Sequence, residues 1–433
     1  MSTRGVFFGW WVALSFAVMA FLSSGIRFAV GPFLKPMVAD LELDRASFSL
    51  VIASGLLLFG MLQPFVGRLV DRVGARPVLV GGALLLGASL VGTGFSTRLW
   101  HLYAFNAIGA AVGLAATGQV VGAAVVARWF TRRRGTALSL IGSASMAGIT
   151  LMVPVAMWGV LTVGWRATHV ALGVAVVALI LPMALWLVRE SPESMGLTPD
   201  GAPPAAARGE VLVERTALAD ALQTVPFWQL AGGLFCCGFS MSLLSAHGVP
   251  MLTDHGYPPM LASWALGLLG GSSIGFAFVL GMFSDRCGRR PVLAWVYGTS
   301  ALIFLGLLLV RDQPLLLLLI ALVGGASMSG SLAAASALSA EIFGRLSVGS
   351  VYGTMFLFHQ TGSALGSWLS GALYEATGGY GAAFGVASAL LVGAALLSAT
   401  IDERRRPAPD RPHRSSADPR TATVPHPLRT ETP

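Results

Sequence analysis

Charge is what this sequence has least of. Only 11% of its 433 residues are Asp, Glu, Lys or Arg, 55% are hydrophobic, and the mean hydropathy is +0.73. Soluble domains carry about 25% charged residues, so a soluble globular protein is excluded. Cysteine is nearly absent. Of the three, Cys236 and Cys237 adjoin inside an apolar run and Cys287 lies in a charged loop, which leaves no disulfide framework. The seven histidines are scattered, with no Glu/His or Cys/His group at metal-ligand spacing and no nucleophile set beside a base. An enzyme is not expected, nor a metal or cofactor. No ring of charge or filter loop marks a channel. The net charge of +8 could point to nucleic acid, but the cations fall in short loops on one side of the chain, as membrane topology requires, so no nucleic-acid partner is expected.

What the chain has in abundance is apolar runs of about 20 residues, each long enough to cross a bilayer. Twelve spans are predicted, near 7–33, 46–66, 77–97, 100–127, 135–160, 167–188, 226–250, 260–281, 291–310, 314–340, 348–372 and 380–401. The start is read as the first span and not as a cleavable leader, because its apolar segment is too long. One set of loops holds Arg68, Arg72, Arg76, Arg128, Arg133, Arg134, Arg189, Arg286, Arg289, Arg290 and Arg345; the other mixes Lys35, Arg45 and Arg166 with Asp40, Asp254 and Glu375. The positive-inside bias then places both termini in the cytoplasm and the chain in the cytoplasmic (inner) membrane. The loop 189–225 begins as a Pro-rich linker and ends in a predicted short surface helix at 210–224. The tail 403–433 is too polar to bury a core and reads as disordered. Glycines at Gly362 and Gly366, and at Gly267, Gly271 and Gly275, fit close helix packing.

One segment occurs twice. Residues 67–79 read GRLVDRVGARPVL and residues 281–293 read GMFSDRCGRRPVL, eight of thirteen positions matching at an offset of 214, close to half the chain. A charged loop repeated at half-length between apolar runs indicates duplication of a membrane bundle. The pattern G-x-x-x-D-R-x-G-x-R resembles the signature loop of the major facilitator superfamily, and the likeness extends over nearly the whole chain. The resemblance implies an all-α membrane protein with twelve transmembrane helices in two pseudo-symmetric six-helix bundles, residues 1–188 and 226–402, with the site between them. It implies a secondary transporter working by alternating access, usually as a monomer. Asp71, Arg72 and Arg76, with their counterparts Asp285, Arg286 and Arg290, would form a gating latch on the cytoplasmic side that must break for inward opening.

Further segments resemble the monocarboxylate-transporter-like branch, in its bacterial members. They are Gly25–Lys35 closing the first span, Arg128-Trp129-Phe130, Gly164-Trp165-Arg166, Ser191–Leu197, and His247-Gly248-Val249-Pro250. The branch implies a small organic anion as substrate, symported or exchanged. Arg27 is its first candidate ligand, since a guanidinium offers a planar fork suited to a carboxylate. Counted from Phe7 at 1.5 Å per residue, Arg27 lies about 30 Å along the helix, so it could also snorkel at the outer boundary. Asn106 stands where the branch often has an arginine, and the eighth span lacks the Asp/Arg pair of animal members. No carboxylate lies mid-span, which leaves histidines as candidate titrating groups. Asn106, Gln119, His247, His359 and Gln360 complete the candidate substrate-binding set, each also explicable as interhelical hydrogen bonding. A break in the seventh span is predicted at Gly248 and Pro250. The rival class is an exporter of amphipathic or drug-like compounds, which would not depend on Arg27.

Overall fold

A computed structural model describes residues 7–130, 133–198, 217–344 and 348–402. Among them the only regular structure is helix. Ten stretches among the described residues are long and apolar enough to cross a membrane. One of these, Arg134–Leu187, is two spans, because the chain leaves helical geometry at Gly164 (φ 82°, ψ 164°). Val348–Thr377, made more polar by His359 and Gln360, completes twelve. A lipid-facing exterior follows from side chains such as Trp186, Leu302, Leu309 and Leu315, all strongly exposed on the surface. The expected linker and surface helix fall mostly on residues 199–216, and the tail on 403–433, both outside the described residues; before the seventh span only a single turn, Leu218–Ala221, is seen.

The first span differs from its expectation. It runs as Phe8–Phe28, loosens at Ala29 and Val30, and resumes as Gly31–Asp40, so its end lies beyond residue 33. Gly31-Pro32 starts the second piece, where proline's fixed φ suits a first helical turn. The seventh span, Val225–Asp254, also differs: it passes through Gly248 and Pro250 without the predicted break. Pro250 frees the carbonyl of Ala246. A Cβ on Gly31 of the first span would lie 2.9 Å from the Ser245 carbonyl oxygen and 3.5 Å from that of Ala246, so its missing side chain lets the two helices approach there.

The helices meet across the midpoint of the chain as second against eleventh, fifth against eighth and first against seventh. Small residues sit at each crossing. A Cβ on Gly60 would lie 2.6 Å from Gln360 Cγ, and one on Gly267 would lie 2.4 Å from the Thr150 carbonyl oxygen. Gly362 and Gly366 likewise face the Phe235 and Phe239 carbonyls of the seventh span. The larger buried apolar cluster runs through both halves, joining Phe33, Phe48 and Ile52 to Leu243, Val249 and Leu252. The second cluster, from Val12 to Val188, stays within the first half. Glycine also makes the sharp turns between neighbouring spans: Gly74, Gly164, Gly288 and Gly344 all take φ between 82° and 89° with extended ψ, a region nearly closed to other residues.

Candidate functional site

Arg27 ends the first helical segment, in the last turn, where the helix dipole favours a cation. It lines a cavity of about 740 Å³, counting the space at its mouth. The guanidinium rests between Phe28 and Phe59, 5.1 and 5.2 Å from their ring centroids. Among the described residues no carboxylate pairs with it. Asn106 lines the same cavity from the fourth span, on a π-helical stretch, Tyr103–Gly109. Such a stretch re-aims side chains within a helix and recurs at functional sites. Close approach of the second span is possible there because Gly55 faces the Ala107 backbone. The rest of the lining is mostly apolar, with Phe33, Phe48, Ile52 and Leu56 prominent. His169, unremarked in the sequence because it sits alone in an apolar run, forms part of the wall, with Nδ1 2.9 Å from the Trp165 carbonyl and its ring 4.1 Å from that of Phe33.

The cavity is bounded by first-half residues, from Ile26 to Leu172, and not by both halves equally. The second half reaches it through the eleventh span: Gln360 Nε2 donates to the carbonyl of Leu56, a wall residue, at 3.3 Å. Gln360 Oε1 accepts from His359 Nδ1 at 2.9 Å, while His359 stacks on Phe356 and its Nε2 is buried without a partner. Arg27, Asn106, His359 and Gln360 are thus gathered around one region. Gln119 begins the helix Gln119–Trp129, but its side chain lies outside the described residues.

His247 lies elsewhere. It is fully buried at the end of the molecule away from the signature loops, within a network that crosses the two halves. At the start of the second span, Arg45 Nη1 donates to Asp254 and to the Tyr380 hydroxyl, both at 2.8 Å, and the Arg45 backbone N–H donates to Glu375 at 2.9 Å. Its guanidinium lies 3.8 Å from the Tyr374 ring centroid, and Lys35 pairs with Asp254 at 2.6 Å. His247 bonds Ser49 of the second span, the Ser367 carbonyl of the eleventh and Tyr380, each at 3.1 Å. Burial raises the pKa of the Tyr380 hydroxyl, which stays protonated. Sequence reading treats Lys35, Arg45, Asp254 and Glu375 as topology charges alone. One signal could have singled out Arg45: a cation in a first helical turn opposes the helix dipole and so needs another partner.

At the opposite end three bonds each stay within one half. Asp71 receives Arg128 Nη2 at 3.3 Å, Arg76 donates to the Leu185 carbonyl, and Arg289 pairs with Glu341 at 2.7 Å. Arg72, Arg286 and Arg290 are exposed, and the side chain of Asp285 is outside the described residues. The Trp129-Phe130 pair has a structural role: both are fully buried, Trp129 Nε1 donates to the Arg189 carbonyl at 2.8 Å, and Phe7, Phe8 and Trp10 pack around them. Arg166 similarly ties a turn, donating to Asp40 at 2.7 Å and to the carbonyls of Gly94 and Ser96.

A sequence profile described as Major Facilitator Superfamily matches residues 16–310 and 230–430. An uncharacterized MFS-type transporter, YcxA, of Bacillus subtilis (strain 168) is 26% identical over 400 residues, 86% of this chain and 90% of its own length. Monocarboxylate transporter 13 of Rattus norvegicus is 27% identical over 389 residues, 89% of this chain and 86% of its own. Among solved structures, a bacterial homologue of the human lysosomal transporter Spinster, inward-facing and occupied, superposes with a TM-score of 0.71 at 15% identity, covering 91% of this chain and 97% of that one.

Proposed function

The chain belongs to the major facilitator superfamily, and from that premise we propose that it is an alternating-access carrier of small monocarboxylate-type anions with an apolar body. It is a multi-pass membrane transporter and not an enzyme. Arg27 is the observation that carries the finer reading: a cation without a carboxylate partner among the described residues, in the wall of an otherwise mostly apolar cavity. A guanidinium at membrane depth is costly, and a carboxylate supplies the partner it lacks. A single cation favours one carboxylate over two, and the aromatic and aliphatic wall favours an alkyl or aryl body over a hydroxylated one. The transporters of the monocarboxylate group among its relatives support the class.

In this reading residues 1–188 and 226–402 are the two bundles, joined by 189–225 and followed by the tail 403–433. The chain works as a monomer in the cytoplasmic membrane with both termini inside. The Arg45 end then faces outward and is shut by its bonds across the two halves, while the signature loops face the cytoplasm, the arrangement of an inward-open carrier. The test is uptake into proteoliposomes of labelled aliphatic and aromatic monocarboxylates, beside dicarboxylates and a lipophilic cation. Accumulation of monocarboxylates alone is expected. Transport of the lipophilic cation with carboxylates ignored would overturn the reading in favour of an exporter of amphipathic compounds.

A further inference from the structure

The closed end contains a chain of hydrogen bonds whose direction is dictated by its members. Ser49 donates its hydroxyl proton to the Arg45 carbonyl at 2.6 Å, so its oxygen is left to accept. The Ser367 carbonyl can only accept. Both lie 3.1 Å from His247 Nε2, which therefore carries the proton. In the neutral ring Nδ1 is then a bare acceptor. Tyr380, 3.1 Å away, already accepts from Arg45 Nη1 and so has its own proton free to donate to Nδ1. The bonds run one way, from Arg45 through Tyr380 and His247 to the eleventh span.

We propose that His247 is a proton-binding site whose occupancy decides whether the Arg45 end stays shut. A proton added at Nδ1 turns the ring into a donor on both sides. The Tyr380 hydroxyl, which already accepts from Arg45 Nη1, must then turn its proton away and accept from the ring as well, and the ring brings a second positive charge to within two hydrogen bonds of the Arg45 guanidinium. The outward-running order of donors is reversed at Tyr380, and two positive charges, one on the second span and one on the seventh, repel across the seam between the halves. Protons acting on this face thus favour opening toward it. The charged and titratable groups around the ring are Arg45 on the second span, Lys35 on the first, Asp254 on the seventh, Glu375 on the eleventh and Tyr380 before the twelfth. The inference rests on the alternating-access reading and adds to it a linked proton.

The test measures opening directly, without substrate. Spin labels are placed at Ala39→Cys and Ala376→Cys, exposed positions on the first and eleventh spans, with Cys287→Ser as background. Cys236 and Cys237 are buried and stay unlabelled. As pH falls from 8 to 5.5, the separated population should grow, its ratio to the closed one rising by at most tenfold per pH unit, the limit for one linked proton. His247→Gln keeps a donor and an acceptor but cannot titrate, so its distances should stay closed over that range. Tyr380→Phe removes the proton donor to Nδ1 and should open at higher pH than the wild type. A His247→Gln protein that follows the wild-type pH curve, or a Tyr380→Phe transition displaced to lower pH, overturns the proposal. Movement of the labels with no dependence on pH refutes the proton site alone. Labels that never separate, in any variant, refute alternating access as well.

Discussion

Arg27→Gln is the substitution that most directly tests the proposed site. In the wild type the guanidinium has no carboxylate partner among the described residues and rests on Phe28 and Phe59, each such contact worth about 0.5–2 kcal/mol. A substrate carboxylate arriving about 4 Å away gains about 4 kcal/mol at an effective dielectric constant of about 20. Removing one member of such a buried pair costs about 2–5 kcal/mol of binding, so Kd should rise by about 30-fold to several thousand-fold. The assay is thermal unfolding of the purified protein with a panel of monocarboxylates. At 100 times Kd a ligand adds about 2.7 kcal/mol to the native state; after a hundredfold rise in Kd the same concentration adds only about 0.4 kcal/mol. The unliganded variant should be at least as stable as the wild type, because it no longer holds a charge at membrane depth. Equal stabilisation of both proteins by the same carboxylate would refute the assignment of Arg27 to the site.

Three further outcomes are expected. Asp71→Asn should leave insertion and melting temperature unchanged, since its bond to Arg128 is long and its side chain 71% exposed, yet slow transport if the latch forms in the other state; unaltered transport kinetics would remove the latch. Gly74→Ala should lower stability by about 1–3 kcal/mol on the backbone conformation alone. Its Cβ would also fall on the Glu190 carboxylate, so a melting temperature equal to wild type contradicts the turn geometry. Asp44 caps the second span, accepting from the Ser47 backbone N–H at 2.6 Å, and these bonds hold its pKa below the usual carboxylate value. Its contribution is therefore present above the unfolded-state pKa and lost as pH falls through the folded one. Asp44→Ala should cost about 1 kcal/mol at neutral pH, and the gap between the two proteins should close on acidification when followed by thermal melts; a constant gap speaks against the cap.

The sequence alone determined the class, the number of spans and the internal duplication. Those properties are written locally: an apolar run long enough to cross a bilayer needs no knowledge of its neighbours, and a repeated loop is visible as text. Arg27 and Asn106 were also legible, because polar groups in apolar spans stand out. Their relation was not. Only tertiary structure decided that Arg27 lines a cavity, since the first span runs on past a loosened turn to Asp40 and its length is set by packing. Only tertiary structure took His247 away from His359, one into the seam at the shut end and the other beside the cavity wall, because two histidines in apolar spans look alike until the facing helices are known. The same holds for Arg45. Its partners, Asp254, Glu375 and Tyr380, lie 209 to 335 residues away along the chain. Helix propensity and hydropathy act over a few turns, whereas such pairings exist only after the helices of both halves have met.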